Sequence, residues 1–212
     1  MTEVWSERAD AYRRSEAHRQ GRDLELFVEW VPTGATVLDV ATGGGHVAQR
    51  LREAAATVVT CDPAPGMRAD VICRAEDLPF ADASFDAVAC RVAAHHFADV
   101  PAAVREMARV SGDLVLVADN LYLGEVGEEA DRLRDPTHVR NLSEDDWRIL
   151  LDEASLELEA FEREEKRIEL APWLARAGCE GREAARVREL LADRIADGYL
   201  TVERGIFKGR KR

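Results

Sequence analysis

The chain reads as an α/β protein built on a mostly parallel sheet with helices on both faces. Two observations carry this reading. Short, near-continuous apolar runs at 36–41, 57–61, 85–90 and 114–118 alternate with segments of helical period at 46–55 and 100–110. Strands that are apolar throughout are buried on both faces, as in a parallel sheet covered by crossover helices. In addition, polar residues gather where those runs end: Asp39 to Gly45, Asp62, Glu76, Arg91 and Asp119. Ligands of open α/β sheets sit beyond the carboxyl ends of the strands.

The elements follow in order. Residues 3–31 read as helical, with Gly21 as a break and Pro32-Thr33-Gly34 as the stop. A strand at 36–41 leads through Gly43-Gly44-Gly45 into a helix at 46–55, and 57–61 is a second strand. Pro63, Pro65 and Gly66 forbid a regular helix directly after it. Val71-Ile72-Cys73 reads as a short third strand, 85–90 as the fourth and 114–118 as the fifth. The helix at 100–110 carries Pro101 in its first turn. Residues 121–142 read as a loop or irregular helix, and Ser143 with Asp146 three residues on opens a helix. Alternation over 156–170 predicts a sixth strand, 173–178 a turn, 182–197 a helix and 201–208 a last strand.

Composition narrows the function. A length of 212 residues suits one α/β domain with a real core. A net charge of −12 disfavours a protein that wraps nucleic acid. The four cysteines have no CxxC spacing and no metal-binding pattern, so no metal is expected. They read as free thiols in a reducing compartment. The charged N-terminal segment has no signal-peptide core, and no apolar run reaches membrane-spanning length. The expectation is a cytoplasmic protein, a monomer or a homodimer, with neither membrane nor nucleic acid as partner.

The glycine turn fits two ligands. Gly43-Gly44-Gly45-His46-Val47-Ala48 matches G-x-G-x-x-A, and Asp62 follows about twenty residues on, which satisfies the dinucleotide fingerprint. S-adenosylmethionine (SAM) suits it equally, because both ligands carry a ribose that an acid can grip. Charge separates them. A dinucleotide puts an anionic pyrophosphate on the turn, whereas SAM puts a sulfonium, an ammonium and a carboxylate there. Asp39 stands at the strand end, with no Lys or Arg between it and Gln49. An acid is favourable beside an ammonium and repulsive beside pyrophosphate.

Four segments then carry a family resemblance: VLDVATGGGH, AEDLPFADASFDAV, RVAAHHFAD and REMARV. Together they resemble the class I SAM-dependent methyltransferases, in the branch related to quinone-biosynthesis C-methyltransferases. The resemblance spans about residues 8–120, and RDPTHVRNLSEDDW is similar to a further subset of bacterial members. It implies a Rossmann-like, seven-stranded fold. It divides the chain into an N-terminal helical cofactor lid (1–34), a SAM-binding core (35–120) and a substrate-pocket segment that completes the domain (121–212).

By position in the motifs, the resemblance assigns Asp39, Ala41, Gly43 and Gly45 to the methionine end of the cofactor and Asp62 to the ribose. It assigns Ala75 and Glu76 to the adenine, Arg91 and Val92 to the region near the methyl, and Tyr12 and His18 to a closing N-terminal helix. Three departures stand out. The helix that usually follows the strand-two acid is shortened or missing. Arg74 replaces an acid that many relatives place near the adenine amino group. The usual L-K-P-G-G turn is contracted to Val110-Ser111-Gly112-Asp113.

Methyl transfer from a sulfonium is an in-line displacement that needs a general base only when the acceptor arrives protonated. Candidate bases beyond the strand ends are His95, His96, Asp119 and His138, with His96 and His138 favoured. Arg140 is a candidate partner for an anionic substrate. The acceptor is a small molecule, and aromatic or polyketide, quinone, lipid and small-amine types all stay open. The alternatives are an NAD-linked oxidoreductase and a non-catalytic SAM-binding protein.

Overall fold

A computed structural model describes residues 2–212. Strands β1 (Thr36–Val40), β2 (Thr57–Cys61), β3 (Phe85–Arg91) and β4 (Ser111–Asn120) pair in parallel in the spatial order β2-β1-β3-β4. Three further strands follow in the chain: β5 (Leu156–Glu169), the two-residue β6 (Ile195–Ala196) and β7 (Tyr199–Lys211). β7 lies antiparallel on β4, β5 lies outside β7, and β6 pairs with the start of β7. Only β7 runs against the common direction, so the sheet is seven-stranded and mostly parallel, as expected.

Side-chain alternation explains the two layers of helix. In β3, Ala87 and Ala89 face one side, and Val88 and Cys90 face the other. In β4, Leu114, Leu116 and Ala118 share the first side, and Val115 and Val117 the second. The alanine-rich side packs against α3 (Arg22–Trp30) and α4 (His46–Glu53) through Leu24, Phe27, Ala48 and Leu51. The other side packs against α5 (Val100–Val110) and α7 (Glu144–Glu153) through Val104, Met107, Trp147 and Leu151. Helix α5 starts on an Asp99 cap that accepts the Ala102 N–H at 2.9 Å. Helix α7 starts on the expected capping box of Ser143 and Asp146. A third cluster joins α6 (Glu125–Arg134), α8 (Leu170–Arg176) and α9 (Gly181–Leu190) to the far ends of β5 and β7.

Several segments differ from the sequence reading. The N-terminal helix is three pieces, α1 (Thr2–Arg13), α2 (Glu16–Arg19) and α3, broken at Ser15 and at Gly21. The expected strand at 71–73 is a single bridge from Val71 to Cys61, because nothing beyond β2 pairs with the rest of it. Between β2 and β3 the described chain forms one 3₁₀ turn, Pro65–Met67, and no α-helix. The shortened connection is therefore real, and the prolines account for it. The stretch 121–142 holds the regular helix α6, and the turn expected at 173–178 falls at the end of α8. Among the described residues, no helix is long and apolar enough to cross a membrane.

One buried ion cluster fastens the N-terminal helices to the sheet. Asp23 of α3 is fully buried. It accepts hydrogen bonds from Arg91 Nε at 2.7 Å, Arg91 Nη2 at 3.0 Å and Arg204 Nη1 at 2.6 Å. Gly21 leaves room for this, since a Cβ there would meet Asp23 Oδ1 at 2.4 Å. Burial alone would raise the Asp23 pKa, but Arg204 and Arg91 outweigh it and hold the carboxyl well below its ordinary 3.8.

Asp23→Asn leaves two buried guanidiniums short of a counter-charge, and urea unfolding at neutral pH should show a loss of about 3–5 kcal/mol. The depressed native pKa means that this stability is present above the unfolded value, about pH 4, and is lost as pH falls toward the native one. The variant should therefore lose less stability than the wild type between about pH 4 and pH 2. An identical acid dependence of the two proteins would contradict the assignment.

Candidate functional site

A cavity of about 240 Å3 lies beyond the C-terminal ends of the parallel strands. Of the residues expected to hold a cofactor, Tyr12, His18, Asp39, Ala41, Gly43, Asp62, Ala75, Glu76, Arg91 and Val92 all line it. Gly45 does not. It is the left-handed residue (φ +78°) on which α4 begins, so it shapes the turn rather than facing the cavity.

The turn after β1 is held from both sides. Asp39, at the end of β1, accepts the Thr42 hydroxyl at 2.6 Å and the Ala48 N–H at 3.2 Å, which ties the strand to the first turn of α4. Asp62, just past β2, accepts the N–H groups of Gly43 at 3.1 Å and Ala64 at 2.9 Å. Burial pushes both carboxyls upward, Asp39 to about 7 against the pull of Thr42 and Ala48. Neither acid forms an ion pair among the described residues, and the glycine turn carries no lysine or arginine. Two buried, uncompensated acids fit hydroxyls and an ammonium. They do not fit a pyrophosphate.

Backbone strain marks the same rim. Ala41 and Val92 both have φ +53°, one after β1 and one after β3. Positive φ at a β-branched residue is costly and concentrates at ligand sites. The Val92 N–H donates to the Ala118 carbonyl at 2.7 Å, which fixes the turn against β4. No sequence signal announced this, because valine is an ordinary strand residue.

Glu76 is engaged rather than free. Its Oε1 accepts the Ala98 N–H at 3.0 Å, and Arg74 lies along the same carboxylate at 3.2 and 3.3 Å. The departure at Arg74 therefore has a partner within the site.

Helix α1 crosses the cavity mouth on two glycines. A Cβ at Gly44 would meet the Tyr12 carbonyl oxygen at 2.9 Å, and a Cβ at Gly66 would meet Ser6 Cα at 2.5 Å. The Gly66 N–H donates to the Ser6 hydroxyl at 3.0 Å, and Arg13 donates to the Gly66 carbonyl at 3.0 Å. His46 Nε2 lies 3.0 Å from the Tyr12 carbonyl. His18 stacks on His46 at 6.2 Å and lies 5.5 Å from the Tyr12 ring. Burial and the nearby Arg176 and Arg91 keep His18 neutral.

The histidines sort differently from the sequence expectation. His138 does not line the cavity: its ring is buried, with Nε2 3.1 Å from Glu128 Oε2. That placement keeps its ring out of reach of an acceptor in the cavity. His96 lines the cavity, with Nδ1 3.0 Å from the Thr137 carbonyl and its ring edge-on to Trp5 at 4.6 Å. Burial and the neighbouring His95 push its pKa down to about 3, so it is a weak base at neutral pH. His95 also lines the cavity, and its Nδ1 is 2.6 Å from Asp119 Oδ1. Burial works against its protonation, but the Asp119 charge prevails and the pKa is raised. Nδ1 is thus turned to Asp119, and Nε2 has no hydrogen-bond partner among the described residues. Arg140, exposed at 61%, points to Asp146 instead of the cavity. Glu128, Asp131 and His138 each bring one metal-ligating atom within 4.8 Å of the others. Hydrogen bonds with Asn141 and the Glu128–His138 pair already account for those atoms.

Known proteins share this architecture. Residues 38–113 match the family model described as a methyltransferase domain. The chain is 32% identical over 199 residues to the uncharacterised methyltransferase YcgJ of Bacillus subtilis, covering 82% of this chain and 78% of that one. The uncharacterised protein YafE of Escherichia coli is 38% identical over 109 residues, 48% of this chain and 53% of that one. The crystal structure of YcgJ aligns with a TM-score of 0.80 at 26% identity, over 90% of this chain and 98% of that one. With its fold, its motif order and this likeness in agreement, the chain belongs to the class I SAM-dependent methyltransferases.

Proposed function

We propose that the cavity holds SAM at its glycine-turn end and a small-molecule methyl acceptor at its other end. The observation that carries this is the pair of buried, uncompensated acids, Asp39 and Asp62, at the ends of adjacent strands. In this reading Asp39 faces the ammonium of the methionine part, together with the bare backbone of Ala41 and Gly43. Asp62 accepts the ribose hydroxyls. Ala75 and Glu76 bracket the adenine, with Arg74 bent over Glu76. Arg91 and Val92 border the transferred methyl. Tyr12, His18 and the rest of 1–34 form the lid, 35–120 the cofactor-binding core and 121–212 the acceptor side. Four free cysteines suit a reducing compartment such as the cytoplasm.

When bound, SAM supplies a methyl group already activated on sulfur, and the methyl–sulfur electron pair returns to that sulfur on transfer. The chain's own part is to orient the acceptor, exclude water and take up a proton. The His95–Asp119 pair does the last of these. Asp119 holds the proton of Nδ1, and Nε2 receives the acceptor's proton. His96, kept neutral, packs with Trp5 as part of the wall.

Calorimetry with S-adenosylhomocysteine tests the cofactor end. Asp62→Ala should weaken binding by about 1–3 kcal/mol, and an unchanged affinity would remove Asp62 from the ribose site. Asp39, near pH 7 in the free protein, must ionise to face an ammonium. Binding below pH 7 should therefore release a proton, and affinity should fall about tenfold between pH 8 and pH 6. A pH-independent affinity over that range would count against this role. Histidine titration by NMR tests the base: His95 should titrate above its ordinary 6.5, and Asp119→Asn should bring it down. A His95 signal indifferent to Asp119→Asn would sink the pair.

A further inference from the structure

One wall of the cavity is basic. Arg134 of α6, Arg176 of α8 and Arg204 of β7 all line it. Arg204 shares the single carboxylate of Asp23 with Arg91, which leaves one guanidinium charge in excess there. Nearby, Lys166 and Glu164 carry opposite charges, Lys166 donating to the Gln20 carbonyl at 2.7 Å and Glu164 accepting the Arg22 N–H at 3.3 Å. Arg134 and Arg176 form no ion pair among the described residues. Arg134 donates from Nε to the Trp173 carbonyl at 3.1 Å, and its guanidinium lies over the Trp173 ring at 4.3 Å. Arg176 donates from Nη1 to the Ser15 hydroxyl at 3.1 Å. The Nε groups of Arg176 and Arg204 are buried with no acceptor.

These groups repel one another. Burial and the charge of Arg134 lower the Arg176 pKa. A chain with a net charge of −12 has thus placed cations without a carboxylate partner in this cavity. Arg204 is buried and Arg134 and Arg176 are half-buried, and charges withdrawn from water are normally paired, so the missing partner is an anion that arrives from outside. SAM brings one carboxylate, whereas Arg134 and Arg176 both lack a carboxylate partner among the described residues and Arg91 and Arg204 share one. All three lining arginines also lie outside residues 38–113, the part that matches the family model. Trp173, Ile168 and Val202 add apolar surface to the cavity lining.

We propose that the methyl acceptor carries a carboxylate or phosphate group seated between Arg134 and Arg176, with an apolar body against Trp173, Ile168 and Val202. This rests on the assignment of the glycine-turn end to SAM. It sets small-amine acceptors aside, because an ammonium would meet like charge.

The test is calorimetry on the full chain saturated with S-adenosylhomocysteine, with 3-phenylpropionate, phenyl phosphate and the neutral 3-phenylpropionamide as probes. At least one anion should bind about tenfold or more tightly than the amide, as expected for bidentate guanidinium contacts. Which anion binds distinguishes carboxylate from phosphate. The double variant Arg134→Gln, Arg176→Gln should lose that preference while its S-adenosylhomocysteine affinity stays within about twofold. The milder Arg176→Lys should keep part of the preference, which guards against a misfolded double variant. Equal binding of amide and anions, or no anion binding, overturns the proposal. So does a double variant that loses S-adenosylhomocysteine, since the arginines would then serve the cofactor's own carboxylate. The S-adenosylhomocysteine titration is run first. If it fails, the cofactor reading fails on its own, and the same anion-against-amide comparison on the ligand-free chain still decides the arginine site.

Discussion

Asp23 makes contact with three parts of the chain that the sequence keeps far apart. It sits on α3 and receives Arg91 from the end of β3 and Arg204 from β7. Both arginines line the cavity, and that carboxylate holds each of them by a hydrogen bond of 2.7 Å or less. Removing one partner of a buried ion cluster costs far more than the cluster contributes relative to an apolar replacement. The arrangement therefore fits a specification of position better than a source of bulk stability. It fixes the N-terminal helices over the strand ends, and it fixes two of the arginines that line the cavity.

The parallel core was legible because its signals are local. Apolar strands, a glycine turn and acids at strand ends are each written within a few residues. Asp39, Ala41, Gly43, Asp62, Arg91 and Val92 line one cavity for the same reason: each lies at or just past a strand end, and a parallel sheet brings strand ends together. The third strand was misread because Val71-Ile72-Cys73 has strand composition without a neighbour to pair with. The choice among the histidines was not legible. His95 and His96 are adjacent in sequence and differ only in whether the ring meets Asp119 or the Thr137 carbonyl. The basic wall was illegible for a stronger reason. Arg134, Arg176 and Arg204 come from two helices and a strand, and only the β5–β7 hairpin with its inserted helices gathers them.

The short connection after β2 has a structural use. Where a helix would otherwise cover the sheet edge, the chain makes one 3₁₀ turn and presents Gly66 to α1. The first helix then occupies that space and reaches across to Gly44. A deletion in one segment is thus filled by another, and the cavity keeps two walls of different origin.

That filling has a kinetic side. Helix α1 does not share the sheet's hydrophobic core: its own cluster is Ala9 with Ala64 and Met67, joined by Trp5 and Tyr12. The helix is also separated from α3 by the breaks at Ser15 and Gly21. Segments with few buried apolar contacts open locally, at a free energy well below that of global unfolding. That small patch, with the Arg8–Asp135 ion pair and the hydrogen bonds at Gly66, and not the strength of the sheet, sets the cost of lifting α1. Local opening of α1 therefore leaves every strand paired.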